Sequence, residues 1–252
     1  MAYEPDRVKA CRMVMLEVLG LLEPWRDSLV LIGGWAVQIG LDQHSDPRDV
    51  RDYVGTMDVD FAGNIGMAHT RTIRGRLLEA GYLQDDRMPE RMIRTVQVGG
   101  EGYHVPVDLL MGVSVEKRAR QQRATSVDLT GELPDGTAAR VTARVASVAD
   151  LLAMKMGPYA DDNAKVKDGY DVYQLMRHAA DSPEELAAEA AAILPPEVCS
   201  ELARNIDVFF LKTKRAARDA AIMVRDFHGT PKADTVRDAR NLAQRFLEAL
   251  GE

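Results

Sequence analysis

Apolar residues recur at helical spacing near the start of the chain and then give way to short runs typical of strands. Between residues 7 and 23 they fall three or four positions apart, which predicts an amphipathic helix. Residues 28–32 form an apolar run that leads into Gly33-Gly34, and a second helical pattern begins at Trp35. A strand, a glycine turn and a helix are therefore expected in direct succession.

The rest of the first half alternates between strand and helix signals. The polar residues 41–56 are expected to form a loop or a short irregular turn. The pattern beyond them predicts a strand, a helix and a hairpin with Gly99-Gly100 at its turn, at residues 57–63, 66–80 and 91–112. A few strands with flanking helices indicate an α+β fold with a mixed sheet.

The pattern of apolar and polar residues changes near residue 146. Strand signals disappear there, and four or five helical stretches follow, the longest of them over residues 197–227. We therefore predict an N-terminal mixed-sheet domain over residues 1–146 and an all-helical C-terminal domain over residues 147–252.

Composition narrows the class of protein without deciding its function. The chain has 252 residues, of which 46% are hydrophobic and 28% charged, as in ordinary globular proteins. Its formal charge of -7 argues against coating nucleic acid by bulk electrostatics, although a local basic patch is compatible with it. Cys11 and Cys199 are interpreted as buried thiols, and no apolar run approaches the ~18 residues of a membrane span. A cytoplasmic protein is expected.

Two aspartates stand one residue apart in the stretch TMDVDFA, residues 56–62. Alternation along a strand puts Asp58 and Asp60 on one face and the apolar residues beside them on the other, in a core. Adjacent like charges on a sheet face are unfavourable, so a compensating charge is expected. For paired carboxylates the commonest compensator is a divalent cation.

A third carboxylate and a glycine turn extend this candidate site. Asp108 lies on a later predicted strand, and three carboxylates can bind two Mg²⁺ ions. Gly33 and Gly34 allow the backbone to approach a ligand closely, with amide groups free to meet phosphate oxygens. Together these residues indicate phosphoryl or nucleotidyl transfer.

These motifs resemble the nucleotidyltransferase superfamily that includes DNA polymerase beta. The matching parts are LIGGWAVQIG, MDVDFA and VDLL, in that order. Further along, LLAMKMGPYADDNAKVKDGYDVYQLMR is similar to the Lys and Lys-Asp-x-x-Asp helices of the AbiEii and MenT toxin nucleotidyltransferases. The resemblance covers roughly residues 28–177, and the combination of motifs is more specific than any one of them.

The resemblance implies a role for each motif. Gly33 and Gly34 would cradle the triphosphate of an NTP such as ATP, and the site would lie in the cleft between the two domains. Asp58 and Asp60 would hold both Mg²⁺ ions, while Asp108 would help to bind one of them and take the proton of the acceptor.

The later motif adds Lys155 as a triphosphate ligand and Asp168 or Asp171 as a further site residue. The toxin families imply an RNA acceptor, such as the 3′ end of a tRNA, and a cognate antitoxin.

Other interpretations stay open at this point. Lys155 is also compatible with a lysine that extends from an apolar helix to solvent, and Asp168 and Asp171 with pairs to neighbouring lysines. The whole pattern also fits an antibiotic nucleotidyltransferase for aminoglycosides or lincosamides, or a nucleotide-binding module without turnover. Many arginines form either a basic track for a polynucleotide or a solvated charged face; they lie at positions 71, 74, 76, 87, 91 and 94 and within residues 116–123.

Overall fold

The computed structural model describes residues 3–44 and 53–251. The chain divides into two compact units, the first containing Met1–Ala36 and Gly55–Ser147 and the second Val37–Val54 and Val148–Glu252. Part of the chain that precedes the predicted boundary at residue 146 thus belongs to the second unit.

The first unit is built on a mixed sheet of seven strands in the order β3-β4-β5-β2-β1-β7-β6. The pairs β2–β5 and β1–β7 are parallel and the other neighbours are antiparallel. This confirms the predicted α+β fold with an N-terminal mixed sheet. Its elements are α1 (Pro5–Leu21), a 3₁₀ helix (Glu23–Ser28), β1 (Leu29–Ile32), the first four residues of α2 (Gly33–His44), β2 (Val59–Gly63), α3 (Met67–Glu79), β3 (Leu83–Gln84), β4 (Arg91–Val98), β5 (Glu101–Met111), α4 (Val115–Arg123), β6 (Thr125–Glu132) and β7 (Ala138–Val145).

One face of this sheet is covered by α1. The α1 side chain Glu17 accepts two hydrogen bonds of 3.0 Å from the guanidinium of Arg94, which fixes the helix over β4. Strand alternation places Met92 on the same covered face, and its partner Val107 on β5 is fully buried there. Arg91 and Asp108 form the next pair of the register, one position away from Met92 and Val107, and therefore lie on the opposite face.

The predicted hairpin is confirmed. Val98 pairs with Glu101 across a two-residue turn, in which Gly99 has φ of +60° and Gly100 has φ of +88°. Positive φ at both central positions is what a tight hairpin turn of the right twist requires, and glycine adopts it without strain.

Several elements differ from the sequence-based expectation. Residues 41–44 continue α2 rather than forming a loop, residues 45–52 lie outside the described residues, and residues 53–56 are irregular, as predicted. The strands β3 and β6 and the helix α4 were not indicated by the apolar pattern. They are short or largely exposed, so few apolar positions mark them.

The second unit is helical throughout its described C-terminal part, as predicted. The segment 207–212 is a π-helix, a form in which each turn contains one extra residue. The helices are α5 (Val148–Ala160), α6 (Val166–His178), α7 (Pro183–Ile193), α8 (Pro196–Ile206), α9 (Arg215–His228) and α10 (Lys232–Leu250). In the described residues, no helix is both long enough and apolar enough to cross a membrane.

The single helical stretch expected over residues 197–227 is wrong. The chain passes from α8 through the π-helical segment and then turns at Lys214, whose φ is +60°, before α9 begins. Lysine is a good helix former, so nothing in local propensity marks this position as a break.

Candidate active site

Gly33 forms a bend at the end of β1 that lies against an acidic side chain. Its φ is +68°, a conformation that residues with a Cβ rarely adopt. Ile32, just before it, pairs with Asp60 on β2, and a Cβ built on Gly33 would overlap Oδ2 of Asp60. A glycine is therefore required here both by the backbone conformation and by the packed carboxylate.

Gly34 is constrained by a different neighbour. A Cβ at this position would lie 2.5 Å from both Cβ and Oγ1 of Thr56. The Thr56 hydroxyl donates a 2.8 Å hydrogen bond to Oδ1 of Asp58. Thr56 thus connects the glycine turn to the first aspartate, a role that the sequence pattern did not indicate although the residue stands directly before the motif.

The acidic side chains meet on the face of the sheet opposite α1. Asp60 on β2 is the direct partner of Asp108 on the parallel strand β5, so the two side chains point to the same side. Asp58 lies just before β2, which begins at Val59, and two residues before Asp60. Val59 and Phe61 are buried in the core, as the alternation predicted.

Arg91 on β4 completes this row of charged residues and was missed as a site residue. Its Nε donates a 2.7 Å hydrogen bond to Oδ1 of Asp108, and its Nη2 donates one of 2.7 Å to Oδ2. The hydrogen bonds to Asp108 raise the pKa of Arg91 and outweigh the opposing effect of burial. The hairpin register gives a signal that could have found this pair, since counting back from Val98 and Glu101 places Arg91 opposite Asp108.

A buried thiol supports the backbone of the motif. Trp35 Nε1 donates to Cys11 Sγ over 3.1 Å, and the Cys11 thiol donates to the carbonyl oxygen of Asp58 over 3.4 Å. Burial raises the pKa of Cys11, which keeps the thiol protonated and able to donate. The prediction of a buried thiol is right for Cys11 and wrong for Cys199, which is partly exposed.

The remaining predicted residues come together in the second unit. Lys155 Nζ lies 2.9 Å from Oδ1 of Asp168 and 2.8 Å from Oδ2 of Asp171. Burial by itself would lower the pKa of Lys155, but the charges of Asp171 and Asp168 outweigh it and raise that pKa. The ammonium is therefore charged and held between two carboxylates.

Both carboxylates have further partners. Oδ2 of Asp168 accepts a 2.8 Å hydrogen bond from the backbone N–H of Lys165, at the start of α6, which satisfies an amide of the first turn. The fully buried Asp171 accepts at Oδ1 from Lys167 Nζ at 2.7 Å and from the Tyr53 hydroxyl at 2.9 Å. Burial raises the pKa of Asp171, but Lys155 and Lys167 outweigh it, so the net shift is downward.

The eight predicted site residues thus form two groups, one in each unit. Gly33, Gly34, Asp58, Asp60 and Asp108 lie together in the first unit. Lys155, Asp168 and Asp171 lie together in the second. Within residues 3–44 and 53–251, no group of three His, Cys, Asp or Glu side chains is arranged to hold a metal ion.

The chain runs from a strand through a glycine bend into a helix, and then to two aspartates at the next strand and a third on a separate strand, which is the order of motifs on which the resemblance rests. A family model described as the nucleotidyl transferase AbiEii toxin of type IV toxin–antitoxin systems matches residues 19–245. The chain belongs to the AbiEii nucleotidyltransferase family. This AbiEii-family protein is therefore an enzyme of the nucleotidyltransferase class.

Solved structures agree with this AbiEii-family protein in fold. The protein JHP933 from Helicobacter pylori has a TM-score of 0.58 at 13% sequence identity, covering 98% of this chain and 94% of its own. A candidate nucleotidyltransferase from H. pylori has a TM-score of 0.53 at 12% identity, covering 94% of this chain and 96% of its own. No curated protein matches the chain. At such low identities the likeness concerns the fold alone.

Proposed function

We propose that this AbiEii-family protein transfers a nucleoside monophosphate from an NTP to a hydroxyl of RNA, such as the 3′ end of a tRNA. Its activity would make it the toxin of a toxin–antitoxin system with a cognate antitoxin. Family membership supports the reaction class. The observation that carries the proposal is the direct pairing of Asp60 with Asp108 on one sheet face, beside the Gly33 bend.

The donor atoms of this row are of the kind that Mg²⁺ prefers, although the described side chains are not arranged as a three-ligand metal site. Carboxylate oxygens are hard ligands that Mg²⁺ prefers, and Asp58, Asp60 and Asp108 present them from adjacent positions on one face. When bound, Mg²⁺ would offset the charge of the triphosphate and make the attacking hydroxyl more acidic. To contribute a ligand, Asp108 would exchange its bond to Arg91 for one to a cation.

The protein groups then have distinct roles in the proposed reaction. Backbone amides of the turn at Gly33 and Gly34 would bind phosphate oxygens, which can approach because neither residue has a Cβ. Asp108 would accept the proton of the RNA hydroxyl. Thr56 would keep the Asp58 carboxylate in place.

Lys155, Asp168 and Asp171 remain proposed nucleotide-binding residues. Because the two carboxylates already hold the ammonium, we assign the contact with phosphate to Lys155 and a positioning role to Asp168 and Asp171.

Incubation with each labelled NTP and total RNA tests the proposal. Label is expected in RNA, together with released pyrophosphate, and Asp60→Asn should reduce transfer at least about a hundredfold through loss of a metal ligand. Asp128→Asn, which removes an exposed carboxylate on β6, is the matched control and should retain activity. Induced expression of the wild type, but not of the Asp60 variant, should arrest growth.

Two results would overturn the proposal in different ways. Label in an aminoglycoside or a lincosamide, with none in RNA, would identify a small-molecule enzyme. Binding of the NTP without pyrophosphate release to any acceptor would identify a nucleotide-binding module.

A further inference from the structure

A groove lies in the first unit between α3 and the C-terminal end of β5. Its volume is about 660 Å³. Most of the side chains that line it are apolar, among them Met67, Leu110 and Val113, and the polar or charged ones are Thr70, Arg71, Arg74 and Glu90. The groove is thus formed by elements of the same sheet layer that carries the acidic row.

The floor of the groove is unusually apolar for an open surface. Met67 is 80% exposed, Val113 66% and Leu110 43%. Single exposed apolar residues are common, but three around one groove indicate a surface that binds something.

The wall of the groove is basic. Arg74 is four positions after Thr70 and three after Arg71 on α3, so it shares a face of that helix with each of them. Against a formal chain charge of -7, this local pair of guanidinium groups favours an anionic ligand.

The groove lies close to the row of charged residues, although neither Asp108 nor Arg91 lines it. Leu110 is two residues beyond Asp108 on β5, so both side chains lie on the same face of the sheet. Glu90 lines the groove and directly precedes Arg91. Its backbone carbonyl oxygen accepts a 2.9 Å hydrogen bond from the N–H of Leu109. A chain lying in the groove would therefore end next to the Asp108–Arg91 pair.

We propose that this groove binds the last nucleotides of a single-stranded RNA acceptor and directs its 3′ hydroxyl toward Asp108. The bases would lie on Met67, Leu110 and Val113, and the phosphates would bind Arg71 and Arg74. Guanidinium groups form bidentate hydrogen bonds to phosphate oxygens. Apolar contacts do not discriminate between bases, so the site would tolerate different RNA sequences. The inference rests on the proposed function and deepens it by locating the acceptor.

Binding of a fluorescently labelled single-stranded RNA, measured by anisotropy without NTP, tests the groove. The double variant Arg71→Ala/Arg74→Ala is expected to raise the Kd about tenfold. It should also reduce the slope of log K against log salt concentration by about 1.4, since each phosphate contact on a single strand contributes about 0.7. Arg76→Ala is the matched control, because Arg76 is on the same helix outside the groove lining, and its Kd and salt slope should equal those of the wild type.

A second variant guards against misfolding of the first. Met67→Glu changes a side chain that is 80% exposed, so the fold should be unaffected, and the new charge should repel phosphates and raise the Kd by about tenfold. In the transfer assay, each groove variant should raise the KM for RNA and leave the KM for the NTP unchanged.

The outcomes separate this inference from the proposed function. If the wild type labels RNA while both groove variants keep its Kd and salt slope, the groove is not the acceptor site. If Met67→Glu instead abolishes self-association and leaves RNA binding intact, the groove is an interface between copies of the chain and the inference fails. If the wild type labels no RNA at all, the proposed function fails first.

Discussion

Gly33 has no room for any side chain, because the carboxylate of Asp60 occupies the place of a Cβ and φ is +68°. We predict that Gly33→Ala destabilises the protein by about 1–3 kcal/mol, the range for strained backbone and overpacked sites. It should also abolish transfer, since the shifted turn would displace Asp60. Chemical denaturation and the labelling assay measure the two effects.

Gly75 provides the control for this substitution. It lies within α3, where a Cβ would meet no atom within 4 Å. Gly75→Ala should therefore stabilise the protein by about 0.5–1 kcal/mol through helix propensity and leave transfer unchanged. Equal stability of the two alanine variants would show that the close approach at Gly33 is not real.

Each of the three aspartates of the candidate site in the first unit has a neighbour that restricts the position of its carboxylate. Thr56 holds Asp58, Gly33 packs against Asp60, and Arg91 holds Asp108. The proximity of three like charges is thus relieved by a hydroxyl donor and a guanidinium group rather than by distance.

At the scale of elements, the contact between α6 and α9 depends on Gly169 inside the motif KDGYD. A Cβ there would lie 2.6 Å from the Ala216 carbonyl oxygen and 2.6 Å from the Tyr159 hydroxyl. We predict that Gly169→Ala forces the helices apart and destabilises the protein by about 1–3 kcal/mol. Urea denaturation measures this change.

Gly157 in α5 is the matched position for that experiment, since a Cβ there meets no atom within 4 Å. Gly157→Ala should be neutral or slightly stabilising. If both variants behaved alike, the α6–α9 contact would be looser than the structure indicates. Alanines 216, 217, 220 and 221 of α9 are all fully buried, which explains why the two helices approach so closely.

The motif KDGYD therefore stabilises helix α6 in addition to its proposed role in nucleotide binding. Asp168 accepts the hydrogen bond that begins α6, and Asp171 pairs with Lys167 one turn earlier as well as with Lys155. The alternative of a pair with a neighbouring lysine is correct for Asp171, whose partner is Lys167 one turn earlier, and little of this pair is exposed.

At the scale of the whole molecule, this buried network sets a pH range for stability. The pKa of Asp171 is lowered in the folded protein, so its stabilisation is present above the unfolded value of about 3.9 and is lost as the pH falls through the folded value. The pKa of Lys155 is raised, so its contribution is present below about 10.4 and is lost as the pH rises through the folded value. Tyr53, Lys167 and Asp168 are the other ionisable groups that face this pair.

We predict that Asp171→Asn lowers the free energy of unfolding at pH 7 by about 3 kcal/mol, because a buried charge on Lys155 loses one of its two partners. The difference from the wild type should shrink as the pH falls below about 4, because Asp171 is protonated first in the unfolded chain and, at lower pH, in the folded protein. Unfolding measured between pH 2 and pH 8 tests this, and a gap that stays constant across that range would contradict it.

The charge of the whole chain gave little information about its partners, because charges act locally. Of the arginines proposed as a basic track, Arg94 binds Glu17 and Arg91 binds Asp108, so neither is a simple surface charge. Arg71 and Arg74 line a groove instead. The spacing of the arginines along the sequence did not distinguish those in ion pairs from those that line the groove. The difference depends on which residue of another element lies opposite each arginine.

The sequence by itself determined the α+β class, the all-helical C-terminal half, the hairpin at Gly99-Gly100 and the motifs of the nucleotidyltransferase family. These features depend on periodicity, glycine conformation and short-range spacing, which a linear pattern contains. It also placed Asp58 and Asp60 on one face, because strand alternation is a local property.

Only the tertiary structure decided which side chains meet. The bonds of Arg94 to Glu17 and of Tyr53 to Asp171 join residues 77 and 118 positions apart. The packing of Asp60 against Gly33 and the left-handed turn at Lys214 likewise result from the way separate elements come together. Such contacts are fixed by sheet register and close packing, in which the energy of one residue depends on partners that are distant along the chain.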